Sequence, residues 1–174
     1  MIPNATLELI DEIFTLSTKV LELDRLTVNN IIYNDNKDIF SDKAFREQRI
    51  IFSLMRGAIN KTITLVDDIE FIMGNFIQIW SDPQKLDVVT NVWHSCIDTN
   101  ISVVETYNMR NSLFLTLVDG NMFTNRMDIN NNYHAASHFR MIHDYRTEYL
   151  TKSMELHDSL MPFEIIQYKL KHLI

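Results

Sequence analysis

Between Phe52 and Trp80 the chain keeps a seven-residue rhythm. Phe52, Met55, Ile59, Thr62, Val66, Ile69, Met73, Phe76 and Trp80 step by alternating fours and threes, and Ile51, Ala58, Leu65, Ile72 and Ile79 recur at every seventh position beside them. Strand side chains alternate with period two, so this pattern predicts a helix. With Asp42 as its start, the helix runs 42–80, about 58 Å at 1.5 Å per residue. With Phe52 as heptad position a, Met55 is d, the Ile51 series is g, and Ile63 and Ile77 are e. A two-stranded coiled coil needs only a and d. A face this wide predicts a bundle helix with neighbours on both sides. Phe71 falls on the outer face, and Gly57 and Gly74 there are candidate kink points.

The same spacing locates the other elements. Leu9, Ile13, Leu16, Val20 and Leu23 mark a first helix over 5–33, with Asn4 as its cap. Asp82 and Pro83 open a third helix, because proline suits the first helical turn. Leu86, Val89, Val92, Trp93, Cys96 and Ile97 form its apolar positions. Beyond Asn100 the reading divides. Ile101–Tyr107 and Ser112–Val118 are rich in β-branched and large apolar residues around Asn108-Met109-Arg110-Asn111, so 101–118 reads as a continuing helix or as a β-hairpin. An Asn-rich stretch over 121–132 reads as a loop. A fourth helix over 133–161 carries Ala135, Phe139, Ile142, Tyr145, Tyr149, Leu156 and Leu160, and Pro162 ends it. A short helix from Phe163 to Leu173 follows. The expected fold is all-α: one domain over 1–174, an up-and-down bundle of four long helices near 5–33, 42–80, 83–118 and 133–161 plus the short C-terminal one.

Composition narrows the function classes. The formal net charge is −7 and the basic residues are scattered, which disfavours nucleic acid as a partner. No run approaches the roughly 18–20 uncharged apolar residues of a membrane span. The single cysteine, Cys96, cannot form an intrachain disulfide. With no basic N-terminal region, these features lead us to expect a soluble, cytoplasmic protein of a reducing compartment. The surplus of Asn and Ile is what AT-rich codons give, as in many viral and phage genomes.

Candidate chemistry is sparse. His134 and His138, four apart on one helix face, are the best metal-ligand pair, but two ligands make half a site and the bland reading is a polar helix end. Asp128-x-Asn130-x-Asn132 opens like a calcium loop but has Tyr133 at the turn glycine and Phe139 at the terminal glutamate. Cys96 and His94 diverge by about 200° on a helix and cannot act as a dyad. His157-Asp158-Ser159 are consecutive, whereas triad members must converge. No residue is expected to be catalytic and no cofactor is expected. Tyr133, Arg140, Tyr145, Arg146 and Tyr149 combine residue types enriched in protein contacts, although the tyrosines also fit a core stripe. With Phe71 they form the expected interaction set. The leading expectation is a non-enzymatic protein-interaction or assembly module binding a protein partner or itself as a homo-oligomer. The alternatives are a metal-dependent bundle enzyme using His134 and His138, and a sensor holding a small ligand near Trp80, Trp93 and Tyr107.

Overall fold

The computed structural model describes residues 2–33, 42–119 and 132–173, with side chains described throughout these except 28–33, 42–45, 114–119, 132–143 and 145–146. The described chain forms α1 (Asn4–Tyr33), α2 (Asp42–Asn75), α3 (Ile77–Trp80), α4 (Pro83–Asp119), α5 (Asn132–Leu160) and α6 (Pro162–Lys171). The all-α bundle is as expected. Four antiparallel columns make it: α1, α2 with α3, α4, and α5 with α6. Their alignment is fixed by pairs at opposite ends of each contact. Glu12 meets Lys61 and Thr27 meets Glu47 between α1 and α2. Met73 meets Thr90 and Arg56 meets Tyr107 between α2 and α4. Asp24 meets Ser153 and Asp11 meets Gln167 between α1 and the fourth column. Lys171 adds an ion pair to Asp11 at 2.7 Å, and the two hydrogen bonds hold the Asp11 carboxyl below its usual range.

Each column buries one stripe. On α4 the stripe is strictly heptad: Val89, Cys96, Val103 and Arg110 at sevens, with Val92, Thr99 and Thr106 between them. That period is why α4 is one helix to Asp119 and the hairpin alternative over 101–118 does not form, despite the β-branched content there. On α2 the deepest positions are g and d: Ile51, Met55, Ala58, Thr62, Leu65, Ile69 and Ile72. The a positions lie at the edge of the core, and Ile63 and Ile77 at e are exposed. On α1 the stripe is Thr6, Ile10, Ile13, Ser17, Val20, Asp24 and Thr27, so the leucines at 9, 16 and 23 sit beside the centre of the buried face rather than on it. Core hydroxyls are satisfied locally. Thr62 donates to the Ala58 carbonyl at 2.7 Å, Ser17 to Ile13 at 2.9 Å and Thr106 to Ser102 at 2.9 Å.

The helix expected over 42–80 is interrupted once. Phe76 is extended (φ −98°, ψ 106°), separating α2 from α3. Gly74 weakens the final turn, and the Asn75 amide donates to the Phe71 carbonyl at 2.9 Å, giving the helix end a local partner. The buried face nevertheless continues across the break, since Ile72 and Ile79 are both fully buried. Asp82 caps α4 as expected: its Oδ1 accepts from the Gln84 and Lys85 amides at 3.0 and 3.4 Å, with Pro83 in the first turn. Pro162 likewise opens α6 and lets Phe163, Ile166, Leu170 and Leu173 close the core against α1 and α4.

Candidate functional site

Two features are not explained by apolar packing alone. The first is a buried polar network to which all four columns contribute. Asp24 lies on the core stripe of α1, one turn beyond Val20, and is fully buried. A buried carboxylate is expensive unless every lone pair is engaged. Here Oδ1 accepts from Arg110 Nη2 at 2.7 Å and from the Tyr149 hydroxyl at 3.1 Å. Oδ2 accepts from the Ser153 hydroxyl and lies 3.3 Å from His157 Nε2. Gln48 on α2 donates to the Tyr149 hydroxyl at 2.7 Å, and Arg110 donates to the same oxygen at 2.8 Å. The guanidinium also lies 4.8 Å from the centre of the Tyr149 ring, a cation–π arrangement.

The electrostatics follow from burial. Burial pushes the Tyr149 hydroxyl up to about 12, opposed by the Arg110 charge and reinforced by the Asp24 charge. Burial works against the Arg110 cation, but Tyr149 and Asp24 outweigh it and Arg110 is held above its ordinary value. Arg110 is only 2% exposed, and its Nε and Nη1 have no hydrogen-bond partner among the described residues. Both oxygens of Asp24 are taken up by protein donors and the group has no exposed surface, so it offers no approach to a substrate. The network is a structural ion pair with hydrogen-bonded support.

The second feature is the outer surface where α2 meets α4. A groove of about 330 Å³ is lined by Ile63, Val66, Ile97, Ile101 and Val104, with Asn100 among them and Asp67 and Glu105 at its rim. Ile63 and Ile101 are about half exposed. Farther along, Phe71 is 61% exposed and stacks edge-on with Phe76 at 6.4 Å, and Ile77 and Trp80 are also exposed. Neither Thr62–Trp80 nor Leu86–Met109 contains a lysine or arginine, whereas both carry carboxylates: Asp67, Asp68 and Glu70, then Asp87, Asp98 and Glu105. The groove lining is apolar, and the charges it carries, Asp67 and Glu105, are both acidic.

The expected site residues separate accordingly. Phe71 points outward, as its heptad position implies. Tyr149 does not join it: the structure buries Tyr149 at the centre of the polar network, because it sits on the stripe Tyr149, Ser153, Leu156, Leu160. The side chains of Tyr133, His134, His138, Arg140, Tyr145 and Arg146 lie outside the described residues. Among the described residues no three His, Cys, Asp or Glu side chains come together as metal ligands. Trp93 and Tyr107, fourteen residues apart on α4, are separated by about 21 Å along the helix, and Trp80 is exposed. Cys96 is a core thiol that burial pushes up to about 12. Among the described residues no helix is long and apolar enough to cross a membrane.

The sequence reading passed over Asp24, Gln48 and Ser153, met Arg110 only as part of a possible turn, and met His157 only in a rejected triad. A usable signal exists in their spacing: Asp24 continues Ile13, Ser17, Val20, and Arg110 continues Val103, Thr106, so both charges occupy core positions. Comparison with protein-family profiles, curated proteins and solved structures gives no significant match to this chain.

Proposed function

We propose that the protein is a non-enzymatic interaction and assembly module that docks a helix on the α2/α4 face. One observation carries this reading: an apolar groove between two helices whose lining includes two carboxylates and no cation. Contiguous exposed apolar surface with a polar rim is the usual mark of a contact site. Its shape suits the apolar stripe of an amphipathic helix lying between two others. Its charge selects a helix with Lys or Arg beside that stripe, by attracting cations and repelling carboxylates. The buried network supplies rigidity underneath and takes no direct part.

The test uses two synthetic helices with the same leucine stripe, one flanked by lysines and one by glutamates. Calorimetric titration at low salt should show micromolar binding of the lysine helix and none of the glutamate helix. An Ile63→Lys/Ile101→Lys variant should weaken that binding at least tenfold. A protein that binds neither helix and does not associate with itself would refute the reading.

A further inference from the structure

The cationic helix that this face calls for is present on the chain itself. Along α2, charge is segregated. Residues 42–61 hold Lys43, Arg46, Arg49, Arg56 and Lys61 against Asp42 and Glu47, whereas residues 62–80 hold Asp67, Asp68 and Glu70 and no cation. The outward stripe of the helix follows the same division. Arg46, Arg49, Ile50, Ser53 and Arg56 are exposed on one side of Asn60, and Ile63, Thr64, Asp67, Glu70 and Phe71 on the other. Within a monomer, a large apolar residue at each end of this stripe (Ile50 at 49% and Phe71 at 61% exposure) has no explanation.

We infer that two copies of the chain associate as a two-fold symmetric dimer through antiparallel α2 helices crossing near Asn60. An isologous contact must be complementary to itself, so whatever lies at a given distance on one side of the axis must suit what lies at that distance on the other. Glu70 is ten residues beyond Asn60, about 15 Å, and Arg49 is eleven before it, about 16.5 Å. Antiparallel superposition therefore sets Arg49 against the partner's Glu70, and by symmetry Glu70 against the partner's Arg49. The same alignment sets Ile50 against the partner's Phe71, Ser53 against the partner's Asp67, and Ile63 against the aliphatic stem of the partner's Arg56. The apolar residues meet apolar surface, Arg49 and Glu70 meet as opposite charges, and Asp67 meets the neutral Ser53 rather than a like charge. A parallel arrangement would instead place Arg49 on Arg49 and Glu70 on Glu70.

This inference rests on the assembly reading above and names its occupant. The paired stripe from Arg49 to Phe71 is about 33 Å long and one helix wide, below the roughly 800 Å² per partner of a standard stable interface. The dimer is accordingly reversible, with a dissociation constant in the micromolar range, and it weakens as salt screens the exposed ion pairs.

Sedimentation equilibrium of the full chain between about 5 and 500 µM tests it, alongside Arg49→Glu, Glu70→Arg and the double swap. Both positions are exposed, so circular dichroism should show the same helicity in every variant. Each single reversal should raise the dissociation constant at least tenfold, and the double swap should return it to within about threefold of the wild type. A wild type that stays monomeric at 500 µM overturns the inference, as does a double swap no better than the single reversals. If the monomeric protein still binds the lysine-flanked helix, only the choice of occupant falls and the interaction reading stands. If it binds nothing, both fall.

Discussion

Replacing Asp24 by asparagine keeps the side-chain shape and removes one charge from the centre of the bundle. The cost can be worked from its partners. Arg110 is 2% exposed and pairs with the Asp24 carboxylate, with Nε and Nη1 already lacking partners among the described residues. Stranding such a cation costs about 3–5 kcal/mol. The asparagine amide adds to the problem, because its NH₂ must face either Arg110 and Tyr149 or Ser153 and His157, all of which approach Asp24 as donors. With an unfolding entropy of about 2.1 cal/mol/K per residue, the 174-residue chain should lose roughly 8–14 °C in Tm. Urea unfolding at pH 7, followed by circular dichroism, should show the same loss with an unchanged m-value. An Asp24→Leu/Arg110→Met variant removes both charges, so its cost should be only about 0–2 kcal/mol, from the acceptor lost to Ser153 and Tyr149. The ion-pair account is refuted if Asp24→Asn costs less than about 1 kcal/mol, or if the double variant costs the sum of its two single changes.

Alkaline stability tests the same site from another direction. Tyr149 holds its proton more tightly when folded, about 12 against 10.0, so its contribution is complete below pH 10 and is lost as pH rises from 10 towards 12. The loss is on the order of 3 kcal/mol. Cys96 acts in the same sense from pH 9.0 upward, so denaturant midpoints measured from pH 8 to 12 should fall less steeply in Tyr149→Phe and Cys96→Ala. Equal slopes in all three proteins would count against burial as the cause. On α2, Leu65→Ala should cost about 2–5 kcal/mol because Leu65 is fully buried, while Ile63→Ala two residues away should cost under about 0.5 kcal/mol. The reverse order in urea midpoints would invalidate the orientation of the helix.

Helix positions were legible because three glycines and three prolines leave little to interrupt a periodic pattern. Pro83 marks a helix start in the sequence and in the structure alike, and Pro162, read from the sequence as the end of one helix, also opens the next. Composition misleads at Ile101–Val104, where β-branched residues suggest a strand, while the sevenfold spacing of Val89, Cys96, Val103 and Arg110 specifies a helix. The α1 stripe is drawn off centre by Leu9, Leu16 and Leu23, since the true centre carries Ser17 and Asp24 and an apolar search skips both. The break at Phe76 is invisible in the heptads because the buried face resumes in phase at Ile79. Phe71 could be placed outward from its heptad position alone. The polar network could not be assembled that way: Asp24 and Arg110 stand 86 positions apart, and only the antiparallel packing of the columns brings them to 2.7 Å.

The Asp24–Arg110 pair also acts as an alignment key. The buried steps of α1 repeat every heptad, and residues of similar size would interdigitate nearly as well if α1 slid by seven positions against its neighbours. α1 and α4 run parallel, each being antiparallel to α2, so a slip one way would set Asp24 against buried Val103 and a slip the other way would set Arg110 against buried Ser17. Two unpaired charges would then be enclosed in the core, at several kcal/mol each. The slip is disfavoured by what the wrong alignment would cost, more than by what the right one gains. A repetitive bundle is thereby given a single way to stack.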